Sequence, residues 1–221
     1  MKTWIKTLLL TGLFMTVALA QEPLFKIPTV TGKTLVFKGV KEGVQVEPYA
    51  GKIVFLEFWG TWCGPCLMSI PHYVALQEKY KETLRVVAIE TTPENSREML
   101  QAYVNDPATH LDMSRISYYL NHKVKTPKQK ASLKKPIATL ETFKASKKKI
   151  NYDVIAYRDA KDFVSYIAQR ARWQGYLPFM IVLDGKGEAV EIVPGMPTEE
   201  HLEGVVKRVL AKDHQLTKIS K

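Results

Sequence analysis

Ile53 to Trp59 (IVFLEFW) is a continuous apolar run broken by one charged side chain, Glu57. A run of strand length with no polar face predicts a central strand covered on both sides. Arg85–Glu90 (RVVAIE) and Pro178–Leu183 read as further buried strands, and Tyr152–Ala156 as a shorter one. Residues 24 to 49 predict short strands, with Phe25 and Ile27 in one and Leu35-Val36-Phe37 in the next, separated by the turn-forming Thr31-Gly32-Lys33. Helical spacing appears at Leu67, Ile70, Val74 and Tyr80, and Pro71 should kink that helix by removing a backbone donor. Asn95 is placed to cap a second helix through Met99, Leu100, Tyr103 and Val104. Asp159–Arg172 reads as an amphipathic helix, and Asp184–Gly187 as a hairpin turn into Ala189–Val193. Thr198 should cap a last helix with the stripe Leu202, Val205, Val206, Val209 and Leu210.

From Asp106 to Lys149 the rhythm breaks. Between Asp112 and Lys149 stand eleven basic residues against Asp112 and Glu141, a net +9 out of +10 for the whole chain. Its apolar residues, among them Ile116, Tyr118, Tyr119, Leu120, Ile137, Leu140 and Phe143, point to partial helical order and a small cap on one side of the domain. No internal repeat is visible. Alternating strands and helices closed by a hairpin and a helix predict an α/β sandwich with a mixed central sheet flanked by helices, interrupted by one lysine-rich insertion at about 106–149.

With 221 residues, 46% of them hydrophobic and 24% charged, the chain can bury a real core. That balance excludes a disordered, collagen-like or polytopic membrane protein. Met1 to Ala20 has the three parts of a secretory signal: Lys2 and Lys6, an apolar core from Leu8 to Leu19, and small residues at Ala18 and Ala20. Cleavage there starts the mature domain, 21–221, at Gln21 and puts it in the periplasm, where disulfides persist. A retained membrane anchor is the alternative for this segment.

Only two cysteines are present, too few for a disulfide-stapled scaffold or a four-cysteine zinc site. Cys63-Gly64-Pro65-Cys66 follows a buried strand and opens a helix. Two intervening residues let the sulfurs meet, so dithiol and disulfide are both accessible. At the helix start, unpaired amides and the dipole favour a thiolate, which marks Cys63 as the attacking sulfur and Cys66 as the resolving one. An inert structural disulfide and half of a zinc site are the competing readings. A loop this small makes a poor staple, and no second Cys or His pair has ligand spacing.

Phe58-Trp59-Gly60-Thr61-Trp62-Cys63-Gly64-Pro65-Cys66 resembles the active-site segment of the thioredoxin superfamily. The leader, the early strand pair and the Trp-Gly-Thr-Trp-Cys wording resemble its exported TlpA/ResA-like branch. Pro71, Tyr176-Leu177-Pro178 and Gly195 match further family positions, and the resemblance covers residues 24–105 and 150–211. It implies a thioredoxin-like fold in which Pro178 is cis and lies against the disulfide, leaving the Leu177 backbone free to pair with an extended substrate. Trp62, Gly64, Pro65, Leu177 and Pro178 are then the substrate-binding residues, and Trp59 packs beneath the site. Glu57 departs from the pattern, standing where thioredoxins carry a buried Asp and many TlpA/ResA-like proteins an Asn. Desolvation should raise its pKa and let it take the Cys66 proton. A salt-bridged edge acid is the alternative for Glu57.

The implied activity is protein thiol:disulfide exchange with no bound cofactor and no metal, the redox group being the Cys63/Cys66 pair. The direction implied is reduction, with apocytochromes before haem attachment among the implied targets, protein thiols or disulfides as substrates and a membrane thiol-transfer protein as electron donor. A disulfide oxidant or isomerase is the enzymatic alternative, and a thioredoxin-fold chaperone or assembly module the non-catalytic one. The basic insertion suits an acidic partner or an anionic membrane surface, while nucleic acid does not fit an exported chain. The five histidines lack paired ligand spacing, and most should be surface residues.

Overall fold

A computed structural model describes the backbone of residues 22–219 and the side chains as far as Lys212. The proposed leader lies outside the described residues. The apolar run forms β4 (Ile53–Trp59), with every residue buried. It is the middle strand of a five-stranded sheet. Parallel to it on one side run β5 (Leu84–Glu90) and then β6 (Asp153–Ile155). On the other side β7 (Phe179–Leu183) pairs antiparallel to β4, and β8 (Ala189–Pro194) antiparallel to β7, so the sheet is mixed as expected.

The early strands do not join this sheet. β1 (Leu24–Pro28), β2 (Thr34–Val40) and β3 (Gly43–Glu47) make an antiparallel sheet of their own. β3 was not singled out from the sequence, because Gly43 and Gln45 thin its apolar pattern. The two sheets touch where β3 crosses the β7–β8 turn. Ala189 N–H donates to Glu42 O at 3.0 Å. A side chain on Gly43 would meet the Gly187 carbonyl at 2.2 Å, so only glycine permits the crossing. Asp184 closes that turn by accepting the amides of Lys186 and Glu188, as the Asp-Gly-Lys-Gly turn predicts.

Alternation along β4 divides the core in two. Val54, Leu56 and Phe58 face β1–β3 and α7 (Tyr157–Arg170), among Phe37, Phe163 and Ile167. Phe55 and Trp59 face α1 (Gly64–Lys79), α2 (Arg97–Asn105) and α8 (Glu199–Ile219). Full burial of each of these side chains contributes about 1.5–3 kcal/mol. Thr198 caps α8 as expected, accepting the His201 amide at 3.1 Å. The α2 cap differs from expectation. Ser96 accepts the Met99 amide, and Asn95 instead donates to Thr61 Oγ1 at 3.1 Å. Both residues are good caps, and the loop before Cys63 claims Asn95.

The insertion is helical throughout most of its length: α3 (Pro107–His110), α4 (Ser114–His122), α5 (Pro127–Ser132) and α6 (Lys134–Ser146). Leu111, Ile116, Val124, Leu133, Leu140 and Phe143 are buried in the same core as α1. It is a cap continuous with the domain rather than a bare loop.

Candidate active site

The site begins where β4 ends. Cys63 is the N-cap of α1, in extended conformation, and its Sγ accepts the Cys66 amide at 3.3 Å. The two sulfurs are joined as a disulfide, with a Cα–Cα distance of 5.2 Å. Pro65 sits in the first turn, where a missing N–H costs no helical bond. Both cysteines are buried, and Cys66 lies one turn inside the helix while Cys63 sits at its mouth. Helical order starts at Gly64, three residues earlier than the apolar spacing suggested, because the cysteine cap and proline nucleate it.

Three loops converge on that mouth. Gly60 carries no side chain because a Cβ there would lie 2.9 Å from Trp62 Nε1 and 3.4 Å from Leu177 Cδ1. The Trp62 ring and the Leu177 side chain therefore both lie beside the turn that leads into Cys63. Trp62 is 53% exposed and is the large apolar surface beside the disulfide. The Leu177–Pro178 peptide is cis, as the resemblance implied. Among the described residues the backbone N–H and C=O of Leu177 have no hydrogen-bond partner, whereas Pro178 O is taken by Gly195 N–H at 2.9 Å. Leu177 thus offers an unpaired strand-like edge.

The third loop comes from the insertion. At Gly64 a Cβ would meet Arg115 O and Tyr119 Cβ, both at 3.0 Å. So α4 packs directly on the residue between the cysteines, closely enough that a side chain there would press on the α4 backbone. Nothing in the local sequence of either segment pairs them.

Glu57 points to the α1 side of β4, between Phe55 and Trp59 in the alternation, opposite Ala88 and Met180 in the register. It is 2% exposed, and its Oε1 has no hydrogen-bond partner among the described residues. Burial pushes its carboxyl well above the ordinary value. The salt-bridged alternative is not what the structure shows: Lys52 donates instead to the Glu82 carbonyl. Tyr73 and Tyr152 share the layer, and burial together with the Glu57 charge raises both phenols.

A second buried carboxylate was missed. Glu90 ends β5 opposite Trp59, and burial raises its pKa against the hydrogen bonds it accepts. It accepts the Thr92 amide at 3.0 Å, the Thr92 hydroxyl, and the Thr61 amide at 3.4 Å. Thr92 Oγ1 in turn accepts Trp62 Nε1–H at 3.1 Å. One carboxylate therefore ties down the loop carrying Thr61 and Trp62. The signal available in the sequence was an acid closing a second buried strand, followed by Thr91-Thr92.

Trp59 packs beneath the site against Tyr103, ring centroids 5.5 Å apart. His72 departs from the surface expectation: it is buried on α1, with Nδ1 3.6 Å from Glu199 Oε2. Among the described residues no three His, Cys, Asp or Glu side chains converge to hold a metal.

Comparison with known proteins adds to this geometry. Residues 41–139 match the Thioredoxin family profile, somewhat less than half of the chain. The thioredoxin-like protein YneN of Bacillus subtilis is 34% identical over 86 residues, which cover 38% of this chain and 45% of that relative. The alignment thus spans under half of YneN's length. The thiol-disulfide oxidoreductase ResA of Bacillus thuringiensis is 27% identical over 190 residues, 86% of this chain and 76% of that one. Among solved structures, an exposed lipoprotein thioredoxin of Streptococcus pneumoniae superposes with a TM-score of 0.47 at 18% identity, covering 84% and 99% of the two chains.

Proposed function

From the premise that the chain carries a thioredoxin-family domain, we propose that it is a protein thiol:disulfide oxidoreductase, acting as a reductase outside the cytoplasmic membrane. The observation that carries the reading is the Cys63–Cys66 disulfide at the start of α1, with the Cys66 amide directed at the Cys63 sulfur. That amide and the helix terminus favour negative charge on Cys63 once the pair is reduced.

In the reductive direction the Cys63 thiolate attacks one sulfur of a partner's disulfide. A mixed disulfide forms and the partner's other sulfur leaves as a thiolate. Cys66 then loses its proton and attacks Cys63 Sγ, which releases the second partner thiol and leaves Cys63–Cys66 oxidised. Two electrons pass to the partner. Glu57, desolvated on the same side of the sheet as Cys66, is the proton acceptor for the resolving step. Trp62, Gly64 and Pro65 frame the attacked sulfur. Leu177, flanked by cis Pro178, supplies the backbone against which an extended partner segment lies.

The regenerating electrons would come from a membrane thiol-transfer protein, and the name of the ResA relative supports a disulfide substrate. Apocytochromes before haem attachment are the substrate class this reading favours. The periplasmic location rests on the charged, apolar and small-residue sequence of Met1–Ala20. Among the described residues no helix is long and apolar enough to cross a membrane.

Redox titration tests the direction. The Trp fluorescence of the purified protein is followed across glutathione and dithiothreitol buffers, with Cys66→Ser as control. A reduction potential below about −230 mV supports the reductase. A value above about −180 mV makes oxidation or isomerisation of substrates the function instead.

A further inference from the structure

The insertion brings α4 to the mouth of the site, with a run of lysines following it in the chain. Along α4, Ile116 is buried and Tyr119 and Leu120 half-buried, which fixes the helix against α1 at Gly64. The opposite face of α4 is open. Tyr118 is 57% exposed and stacks on His122, ring centroids 4.2 Å apart. Trp62 and Tyr176 are the other large exposed aromatics on the two loops that meet at Gly60.

Charge then accumulates directly beyond α4. Lys123, Lys125, Lys128, Lys130 and Lys134 are all exposed, and none has a carboxylate partner among the described residues. Their neighbours are treated differently: Arg115 pairs with Asp112 at 3.2 Å, Lys135 with Glu200 at 3.3 Å and Lys148 with Glu78 at 3.6 Å. No acid stands between Asp112 and Glu141 to balance the five. Like charges held together on one surface repel, and a complementary partner relieves that repulsion. α4 touches the cysteine segment at Gly64 on one side and leads directly into the lysine-rich run at its end.

We propose that α4 and the lysines that follow it form a docking surface for an acidic protein segment lying next to the cysteine to be reduced. This rests on the exchange reading and names its partner's chemistry: acidic residues flanking the reactive cysteine on the side that meets the insertion. Exposed charges act through encounter, so the surface governs the second-order rate and is screened by salt.

Reduction of matched disulfide peptides tests this. The peptides share the residues around the cysteines and carry either Glu or Gln flanks. With the reduced protein at low ionic strength, the acidic peptide should react about tenfold faster, and near 1 M salt the two rates should converge. Joint replacement of Lys123, Lys125, Lys128 and Lys130 by Gln should remove the preference, while the same four changed to Arg should keep it. Equal rates for the two peptides at low salt overturn the proposal. So does a preference that survives the Gln set, or loss on that set only of binding to phosphatidylglycerol vesicles. If neither peptide is reduced by a protein whose Cys63–Cys66 pair is itself reducible, the exchange reading fails instead.

Discussion

Two buried carboxylates, Glu57 and Glu90, lie on the α1 side of the central sheet, and their surroundings separate their roles. Among the described residues Glu57 Oε1 has no hydrogen-bond partner, so burial raises its pKa with only the nearby Tyr73 hydroxyl opposing, which makes it a stronger base than a solvated carboxylate. Glu90 accepts several donors, so burial raises its pKa against opposing bonds. For Glu57→Gln, stopped-flow resolution of a mixed disulfide should slow by about tenfold or more near neutral pH. The deficit should shrink at high pH, where Cys66 loses its proton to solvent. Undiminished rates across pH would remove Glu57 from the mechanism. Stability gives an independent reading. A folded pKa above the ordinary 4.5 means that the stability Glu57 contributes is fully present below that value and is lost as pH rises through the folded pKa. The stability of the wild type relative to Glu57→Gln should therefore fall with pH, by at most about 1.4 kcal/mol per unit, in urea titrations from pH 4 upward. Glu90→Gln replaces an acceptor by a group that also donates, facing three donors, and should cost about 1–3 kcal/mol. Its specific mark is at Trp62, whose tether runs through Thr92. Acrylamide quenching of the exposed tryptophan should rise and exchange rates fall. Wild-type quenching and rates in a destabilised variant would reduce Glu90 to a fold-holding group. Glu57 was legible as an acid inside an apolar run, whereas Glu90 acquires meaning only from Thr61 and Trp62, on another strand's loop.

At the scale of elements, helix ends show where local chemistry suffices and where it does not. Cys63 and Pro65 start α1, and Thr198 starts α8, by residues adjacent in sequence. Asn95 and Ser96 are equivalent as caps on propensity alone. The structure gives the cap to Ser96 because Asn95 reaches Thr61 across the loop. Ser96→Ala should cost about 1 kcal/mol in the urea midpoint. Asn95→Ala should cost less stability but loosen the loop before Cys63, seen as faster amide exchange at Thr61 and Trp62. A larger stability loss from Asn95→Ala would return the cap to Asn95. The separate β1–β3 sheet belongs here too. Alternating apolar residues announce strands, but which partners they pair with depends on the Gly43–Gly187 crossing, where two backbones meet far apart in sequence.

For the whole molecule, the question is whether the lysine-rich insertion is an appendage or part of the fold. Leu140, fully buried on α6, shares a core with Leu67 and Tyr73 of α1. Leu140→Ala should therefore lower global stability by about 2–5 kcal/mol in a single unfolding transition followed by far-ultraviolet circular dichroism. A separate early transition confined to the insertion would show it to be an independent unit. The sequence by itself determined the cysteine pair at the start of a helix, the central strand among the apolar runs, the acid within β4 and the placement of Pro178 before β7. Each depends on neighbours within a few residues, where periodicity, caps and motif spacing act. Tertiary structure alone decided that α4 lies on Gly64, that Glu90 holds Trp62, that His72 is buried and that β1–β3 form their own sheet. These depend on side chains and backbones brought together across long stretches of chain. Composition records the insertion's charge, but only packing against α1 sets α4, the helix those lysines follow, beside the cysteines.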